Sequence, residues 1–172
     1  MVPQHPWSHF YDLSDLSEAG AELVIEATAE QRARISEWAG VVAVNRFMAS
    51  VALRRHSSAR FSYHAKLIVD VTQSCVVTLE PVHSQLNLDV ARALHLIKSS
   101  SKSAEHPSSP ASDDAPEEIE DGRYDLAAPL LEEFALALDP YPRCPGVEFE
   151  PPPDGDTQAS PFAVLKALRE SN

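Results

Sequence analysis

The 172-residue chain is poor in cysteine, in glycine and in basic side chains. Its two cysteines, Cys75 and Cys144, are too few for a disulfide framework or for a four-cysteine zinc site within one chain. Lys and Arg number 14 against 26 Asp and Glu, and the formal net charge of −12 excludes a generally basic protein that coats nucleic acid. With 14 prolines against 5 glycines, the composition favours extended and turn-rich segments.

Long apolar runs are also missing. The longest, such as residues 41–44, are far shorter than the roughly 18–20 residues that cross a bilayer. The first residues have neither the basic nor the apolar region of a secretory signal. We therefore expect a cytoplasmic protein with reduced thiols and without membrane contact. The seven histidines lack metal-ligand spacing and no nucleotide-binding or nucleophile-elbow motif is present, so the sequence predicts no enzyme, metal or cofactor.

The negative charge is unevenly distributed along the chain. Residues 1–98 carry 9 basic and 10 acidic side chains, a net of −1, whereas residues 99–172 carry 5 and 16, a net of −11. Residues 31–66 carry 7 basic side chains against one acidic, a net of +6. Such asymmetry indicates either a nucleic-acid surface beside an acidic region or simply a solvated face and a soluble tail.

Composition divides the chain into ordered and linking parts. Residues 99–118 are rich in Ser and Pro and nearly free of large apolar side chains, which predicts a disordered insertion. Three consecutive prolines in 150–160 favour a stiff linker. The predicted organisation is an N-terminal extension at 1–19, a single domain at 20–149 that contains the insertion, the linker, and a short helix at 161–172.

Hydrophobic periodicity predicts the elements of this domain. Thr28-Ala-Glu-Gln31 has the capping-box pattern, so a helix is expected to run to about Ala39 and to stop at Gly40. A short strand is expected before it at 22–27. Alternation of apolar and polar residues then predicts three long strands. Their ranges are about 41–54, 59–71 and 82–90, with a turn at 55–58.

Short links between these strands favour antiparallel pairing with one apolar face buried. The predicted fold class is α+β, with a strongly twisted antiparallel sheet that is open or partly closed into a barrel. One helix lies near the N-terminus and others lie in the C-terminal part. If the strands share a sheet, four basic side chains point to the same solvent side as a candidate RNA-binding surface. These residues are Arg46, Arg54, Arg60 and Lys66.

A second long helix is predicted from about 126 to 138. Asp125 is a suitable N-cap, and apolar residues recur about one turn apart. They are Leu126, Leu130, Phe134 and Leu138.

Three stretches together resemble one family. Residues 71–82 read VTQSCVVTLEPV, residues 121–142 contain DGRYDL followed by LEEFALALDPYP, and residues 160–168 read SPFAVLKAL. This order is similar to the YceD family of large ribosomal RNA subunit accumulation proteins. The resemblance implies a small non-enzymatic factor in ribosome assembly. Its implied partners are large-subunit ribosomal RNA or a basic large-subunit ribosomal protein, and not DNA.

The resemblance also implies the residues of a family motif. The matching positions are Cys75, Leu79, Glu80 and Pro81. Many relatives carry C-x-R-C-L-E where this chain has CVVTLE, so only the first cysteine is present and Val77 replaces the arginine. This argues against a metal site here. A purely structural interpretation is a tight turn between two strands, with Cys75 and Leu79 packed inside.

Three hypotheses about function follow. In the first, the basic strand face contacts RNA phosphates, and affinity depends on salt. In the second, the acidic segment 113–139, with 10 acidic residues against one arginine, shields a basic ribosomal protein. In the third, Cys75 is a nucleophile assisted by His64 or His83.

Overall fold

The computed structural model of the chain describes residues 5–97 and 116–148. These ranges contain seven strands, two α-helices and one short 3-10 turn at Leu13–Asp15. The elements in chain order are β1 (Phe10–Asp12), β2 (Ala21–Glu26), α1 (Ala29–Ala39), β3 (Ala43–Arg55), β4 (Arg60–Ser74), β5 (Pro81–Leu96), β6 (Glu117–Ile119), β7 (Arg123–Asp125) and α2 (Ala128–Ala137).

The start and the end of α1 follow from its local sequence. The Gln31 N–H donates to the Thr28 hydroxyl at 3.3 Å, and the Thr28 N–H donates to the Gln31 side-chain oxygen at 2.8 Å. This reciprocal pair satisfies amide groups that the first helical turn leaves free. Gly40 ends the helix in the left-handed conformation, with φ of 65°. The predicted helix and both of its ends are confirmed.

The three predicted long strands form the centre of a five-stranded sheet in the order β2-β3-β4-β5-β6. Neighbouring strands are antiparallel, except that β6 runs parallel to β5. This confirms the α+β class with a mostly antiparallel, twisted sheet. Among the described residues the sheet stays open and does not close into a barrel, because β2 pairs on one side only and β6 covers only Leu94–Leu96 of β5.

The inner face of the sheet carries the core. Phe47 of β3 lies between Trp7 and Phe134, with each ring centroid 5.6 Å away in an edge-to-face arrangement. The Tyr63 hydroxyl of β4 donates to the Leu126 carbonyl oxygen at 3.0 Å. The sheet therefore holds the N-terminal segment and α2 on the same face. The described part of the expected extension at 1–19 contributes Trp7, Leu13 and Leu16 to the core.

The predicted N-cap of α2 is wrong. Asp125 belongs to β7, which pairs with β1, and its carboxylate accepts from the His9 N–H at 2.7 Å and from the Ala127 N–H at 3.0 Å. The helix begins at Ala128, with Ala127 as its N-cap and Pro129 in its first turn. Asp125 therefore anchors the N-terminal segment to the turn before α2, a contact between residues more than a hundred positions apart.

Most of the predicted insertion at 99–118 lies outside the described residues, as do the linker at 150–160 and the short helix at 161–172. At the end of the insertion, Glu117 and Glu118 belong to β6. Neither of the two helices in the described ranges has the length and the apolarity that crossing a membrane requires.

Candidate functional site

The four basic residues predicted as an RNA-binding surface lie on the outer face of the sheet, opposite the core. Buried and exposed residues alternate along β3 and β4, with Phe47, Val51 and Val69 on the inner face. The outward-facing set includes Arg46 and Arg54 on β3 and Arg60 and Lys66 on β4.

Acidic residues share this outer face with them. Arg54 forms a salt bridge of 3.0 Å with Glu22 on β2. The antiparallel register places Asp70 opposite Arg46, and Asp89 opposite Lys66. Arg60 is instead paired with His95 across the β4–β5 ladder. Side chains directly opposite in a ladder are close enough to interact, so the outer face is charge-balanced rather than basic.

The outer face also contains a concave trough of about 590 Å³. Small and apolar side chains form much of its lining, and charged side chains flank them, so the trough has no uniform charge. The lining includes Val24, Ser50, Ala52, Lys66, Asp89 and Ala91.

The four residues of the family motif lie in or directly after the tight turn between β4 and β5. The Leu79 N–H donates to the Cys75 carbonyl oxygen at 3.0 Å, and the Cys75 N–H donates to the Glu80 carbonyl oxygen at 2.8 Å. Pro81 is the first residue of β5, a strand position at which proline is tolerated. Cys75 is completely buried, as the structural interpretation expected.

Leu79 differs from that expectation, because its side chain is 78% exposed. Its backbone has φ of 63°, the only positive value for a residue other than glycine in the described ranges. This conformation lets the chain close the turn on Cys75, and the side chain is left outside the core. The prediction that Leu79 packs inside is therefore wrong.

The turn is anchored to the segment that follows α2, a contact that sequence reasoning missed. The Val76 N–H donates to the Pro142 carbonyl oxygen at 2.9 Å, and the Gln73 side-chain amide donates to the Asp139 carbonyl oxygen at 2.9 Å. The Cys144 N–H donates to the Cys75 sulfur at 3.4 Å. The sequence did contain a signal for this contact. Cys75 lies within the stretch 71–82 that resembles the family, and Cys144 lies two residues after the stretch 121–142.

Thr78 connects the two cysteines. Its hydroxyl lies 3.7 Å from the Cys144 sulfur, and its N–H donates to the Cys75 sulfur at 3.5 Å. Hydrogen bonds from the Thr78 hydroxyl, the Thr78 N–H and the Cys144 N–H lower the pKa of Cys75 to about 6, although burial opposes this. The Thr78 hydroxyl also lowers the pKa of Cys144, but burial, Cys75 and Glu80 outweigh it and raise that pKa.

The structure shows no base for a nucleophilic Cys75 in the described part of the chain. His83 is engaged with the Thr72 hydroxyl at 2.8 Å, and His64 lies exposed on the outer face. Across residues 5–97 and 116–148, no three His, Cys, Asp or Glu side chains are grouped to hold a metal ion. The arrangement at Cys75 stabilises a thiolate and connects the turn to the segment after α2.

The fold and this site define a small α+β protein in which the β4–β5 turn is clamped onto the segment after the last described helix. The chain belongs to the YceD family, whose model, described as large ribosomal RNA subunit accumulation protein YceD, matches residues 63–169. The match includes all three stretches that carry the resemblance, and it assigns the chain a role in accumulation of large-subunit ribosomal RNA. No curated protein and no solved structure matches the chain.

Proposed function

We propose that this protein supports accumulation of large-subunit ribosomal RNA as a non-catalytic cytoplasmic binding factor whose direct partner is a basic large-subunit protein. The observation that carries the choice is the charge balance of the outer face. Glu22, Asp70 and Asp89 share that face with three of the four candidate RNA-binding cations. A phosphate approaching it meets little net positive potential, whereas phosphate affinity depends on unneutralised Lys and Arg.

The overall charge supports the same choice. The chain has a formal net charge of −12. A basic ribosomal protein is attracted to such a field, and the attraction accelerates its encounter with the factor. By holding that protein until it meets RNA, the factor would protect both components of the assembling subunit.

Direct contact with RNA through the outer face is the second candidate. Arg60 favours it, because this exposed residue is opposite His95 and not an acidic side chain. Lys66 is exposed on the same strand. These two residues are the best probes of the RNA mode.

Affinity purification of the full chain from cells, with and without ribonuclease, tests the proposal. We expect a basic large-subunit protein to be recovered equally in both samples. RNA gel shifts over a salt series provide the second arm, with an Arg60/Lys66→Glu variant and an Arg34/Arg123→Glu control of equal charge change. All four side chains are exposed, and the control pair lies off the outer face.

The two modes give opposite results. Under the proposal, both double variants change RNA binding to the same small extent, because only overall charge matters. Complete loss of the recovered proteins with ribonuclease would contradict the proposal, particularly if only Arg60/Lys66→Glu abolished a salt-dependent RNA shift.

A further inference from the structure

Three large apolar side chains are exposed at the corner where the β4–β5 turn meets the segment after α2. Val76 is 46% exposed, Leu79 is 78% exposed and Tyr141 is 71% exposed. The hydrogen bond from the Val76 N–H to the Pro142 carbonyl oxygen holds the two segments together. We call Val76, Leu79 and Tyr141 the corner surface.

Folding does not explain the leucine in this surface. At φ of 63° a side chain with a β-carbon is strained, whereas glycine adopts this conformation freely. The Leu79 side chain also buries little surface in return, since most of it faces solvent. Leu79 strains the backbone and contributes little buried surface to the core. Such a residue suggests a role outside the fold.

The charges around the corner surface are mostly negative. Glu80 of the turn and Asp139 of the facing segment are exposed, and Arg143 is the one basic side chain between residues 139 and 148. Phosphate groups are repelled by such surroundings, and a basic polypeptide is attracted.

We propose that the corner surface is a docking site for a basic protein segment whose own apolar side chains pack on Leu79 and Tyr141. The inference rests on the proposed function and specifies where its partner binds. Tyrosine is enriched among residues that dominate binding energy. Tyr141 directly precedes Pro142, whose carbonyl oxygen accepts from the Val76 N–H of the turn. A second copy of the chain fits poorly, because each copy carries a formal charge of −12.

In this arrangement the acidic residues affect the rate of association rather than the lifetime of the complex. Lys and Arg on the partner would face Glu80 and Asp139 at the rim, where solvent screens the pairs. Rim charges mainly change the association rate and its salt dependence. Removal of the Leu79 or Tyr141 side chain should instead increase the dissociation rate.

The test titrates a panel of individually purified large-subunit ribosomal proteins against the full chain. Leu79→Gly removes the side chain and relieves the backbone, whereas Leu79→Ala removes most of the side chain and keeps the strained conformation. Tyr141→Ala tests the second contact. Val24→Ala is the control, because Val24 is 66% exposed and lies on β2 opposite Ser50, which pairs with Lys66 rather than with the end of β4.

We expect at least one basic member of the panel to bind the wild type. The Leu79 and Tyr141 variants should each weaken that binding by about tenfold or more, and Val24→Ala should change it by less than twofold. Leu79→Gly should unfold at the same urea concentration as the wild type or at a higher one. Lost binding in this variant then cannot be explained by lost folding.

Other outcomes separate the two proposals. If a basic protein binds all variants equally, the inference about the corner surface is wrong and the proposed function stands. If no member binds the wild type, the proposed function fails and the inference fails with it. If the Leu79 variants lose binding to ribosomal RNA or lose self-association instead, the corner surface serves a different occupant and the inference is overturned.

Discussion

Some residues of the β4–β5 turn hold the turn closed, and others face solvent. Cys75 is buried and accepts hydrogen bonds from the Thr78 and Cys144 N–H groups. Leu79 is exposed in a conformation that glycine would adopt more easily. The Thr78 hydroxyl lies 3.7 Å from the Cys144 sulfur. Hydrogen bonds to sulfur therefore help to join the turn to the segment after α2.

The first prediction concerns the ionisation of Cys75. Absorbance of the native protein at 240 nm should rise with a midpoint near pH 6, because the donors of Thr78 and Cys144 hold the pKa of Cys75 at about 6. Cys75→Ser should remove this transition. Cys144→Ser should retain it, since the Cys144 group that donates to the Cys75 sulfur is the backbone N–H.

The same pKa determines how the turn responds to pH. The folded-state pKa of about 6 lies below the ordinary value of 9.0, so the folded state binds fewer protons in this interval. The stability contributed by Cys75 should be fully present above pH 9 and lost as the pH falls towards 6. Urea unfolding should show a larger difference between wild type and Cys75→Ser at pH 9 than at pH 6. An equal difference at both values would contradict the lowered pKa.

Among the secondary-structure elements, the helix α1 and the sheet are specified by different features of the sequence. The ends of α1 depend on Thr28, Gln31 and Gly40, all within or next to the helix. The strands depend on alternation, which is nearly unbroken from Phe61 to Val71 in β4. The long strands β3, β4 and β5 are antiparallel neighbours joined by short turns. Their pairing is local in sequence, and the sheet can therefore form without a long crossover.

The second prediction concerns the capping box of α1. Thr28→Ala should lower the free energy of unfolding by about 1 kcal/mol, because the hydroxyl that accepts from Gln31 N–H is removed. Thr28→Ser retains this oxygen and should cost much less. Urea titration followed by circular dichroism measures both variants. The same midpoint for Thr28→Ala and wild type would show that the cap does not stabilise the helix.

At the scale of the whole molecule, parts far apart in sequence share one core. Trp7 contacts Phe47, Phe47 contacts Phe134, and Asp125 binds the backbone of His9. The N-terminal segment, the sheet and α2 should therefore unfold together. The acidic charge also acts across the molecule. Acidic residues balance the cations of the outer face, and Glu80 and Asp139 lie in the two segments that form the corner surface.

The third prediction tests whether residues 5–19 belong to the folding unit. Trp7→Ala should lower the free energy of unfolding by about 3–5 kcal/mol, the usual cost of deleting a buried aromatic side chain. Phe10→Ala is the control, because Phe10 is 56% exposed, and its effect should stay within about 0.5 kcal/mol. Far-UV circular dichroism in urea should show one transition for each variant. Wild-type stability of Trp7→Ala would mean that this segment is an independent extension.

Features that depend on near neighbours can be read from the amino-acid sequence. The capping box and Gly40 predict the helix with both of its ends. Alternation predicts β3 and β4 within three residues and the outward set of basic residues, but it ends the third strand at 90 whereas β5 continues to Leu96. The β4–β5 turn was also predicted around Cys75. Each of these features is encoded within a few consecutive residues, because helix caps and strand faces repeat over short periods.

The contacts that these features make with distant parts of the chain become visible only in the folded structure. It placed Glu22, Asp70 and Asp89 among the outer-face cations, and it brought Cys144 to Cys75. It also assigned Asp125 to a strand rather than to a helix cap, and it left Leu79 exposed. These outcomes depend on strand register and on contacts between distant residues. A periodic pattern in one segment does not tell which side chains of a distant segment will contact it in the folded protein.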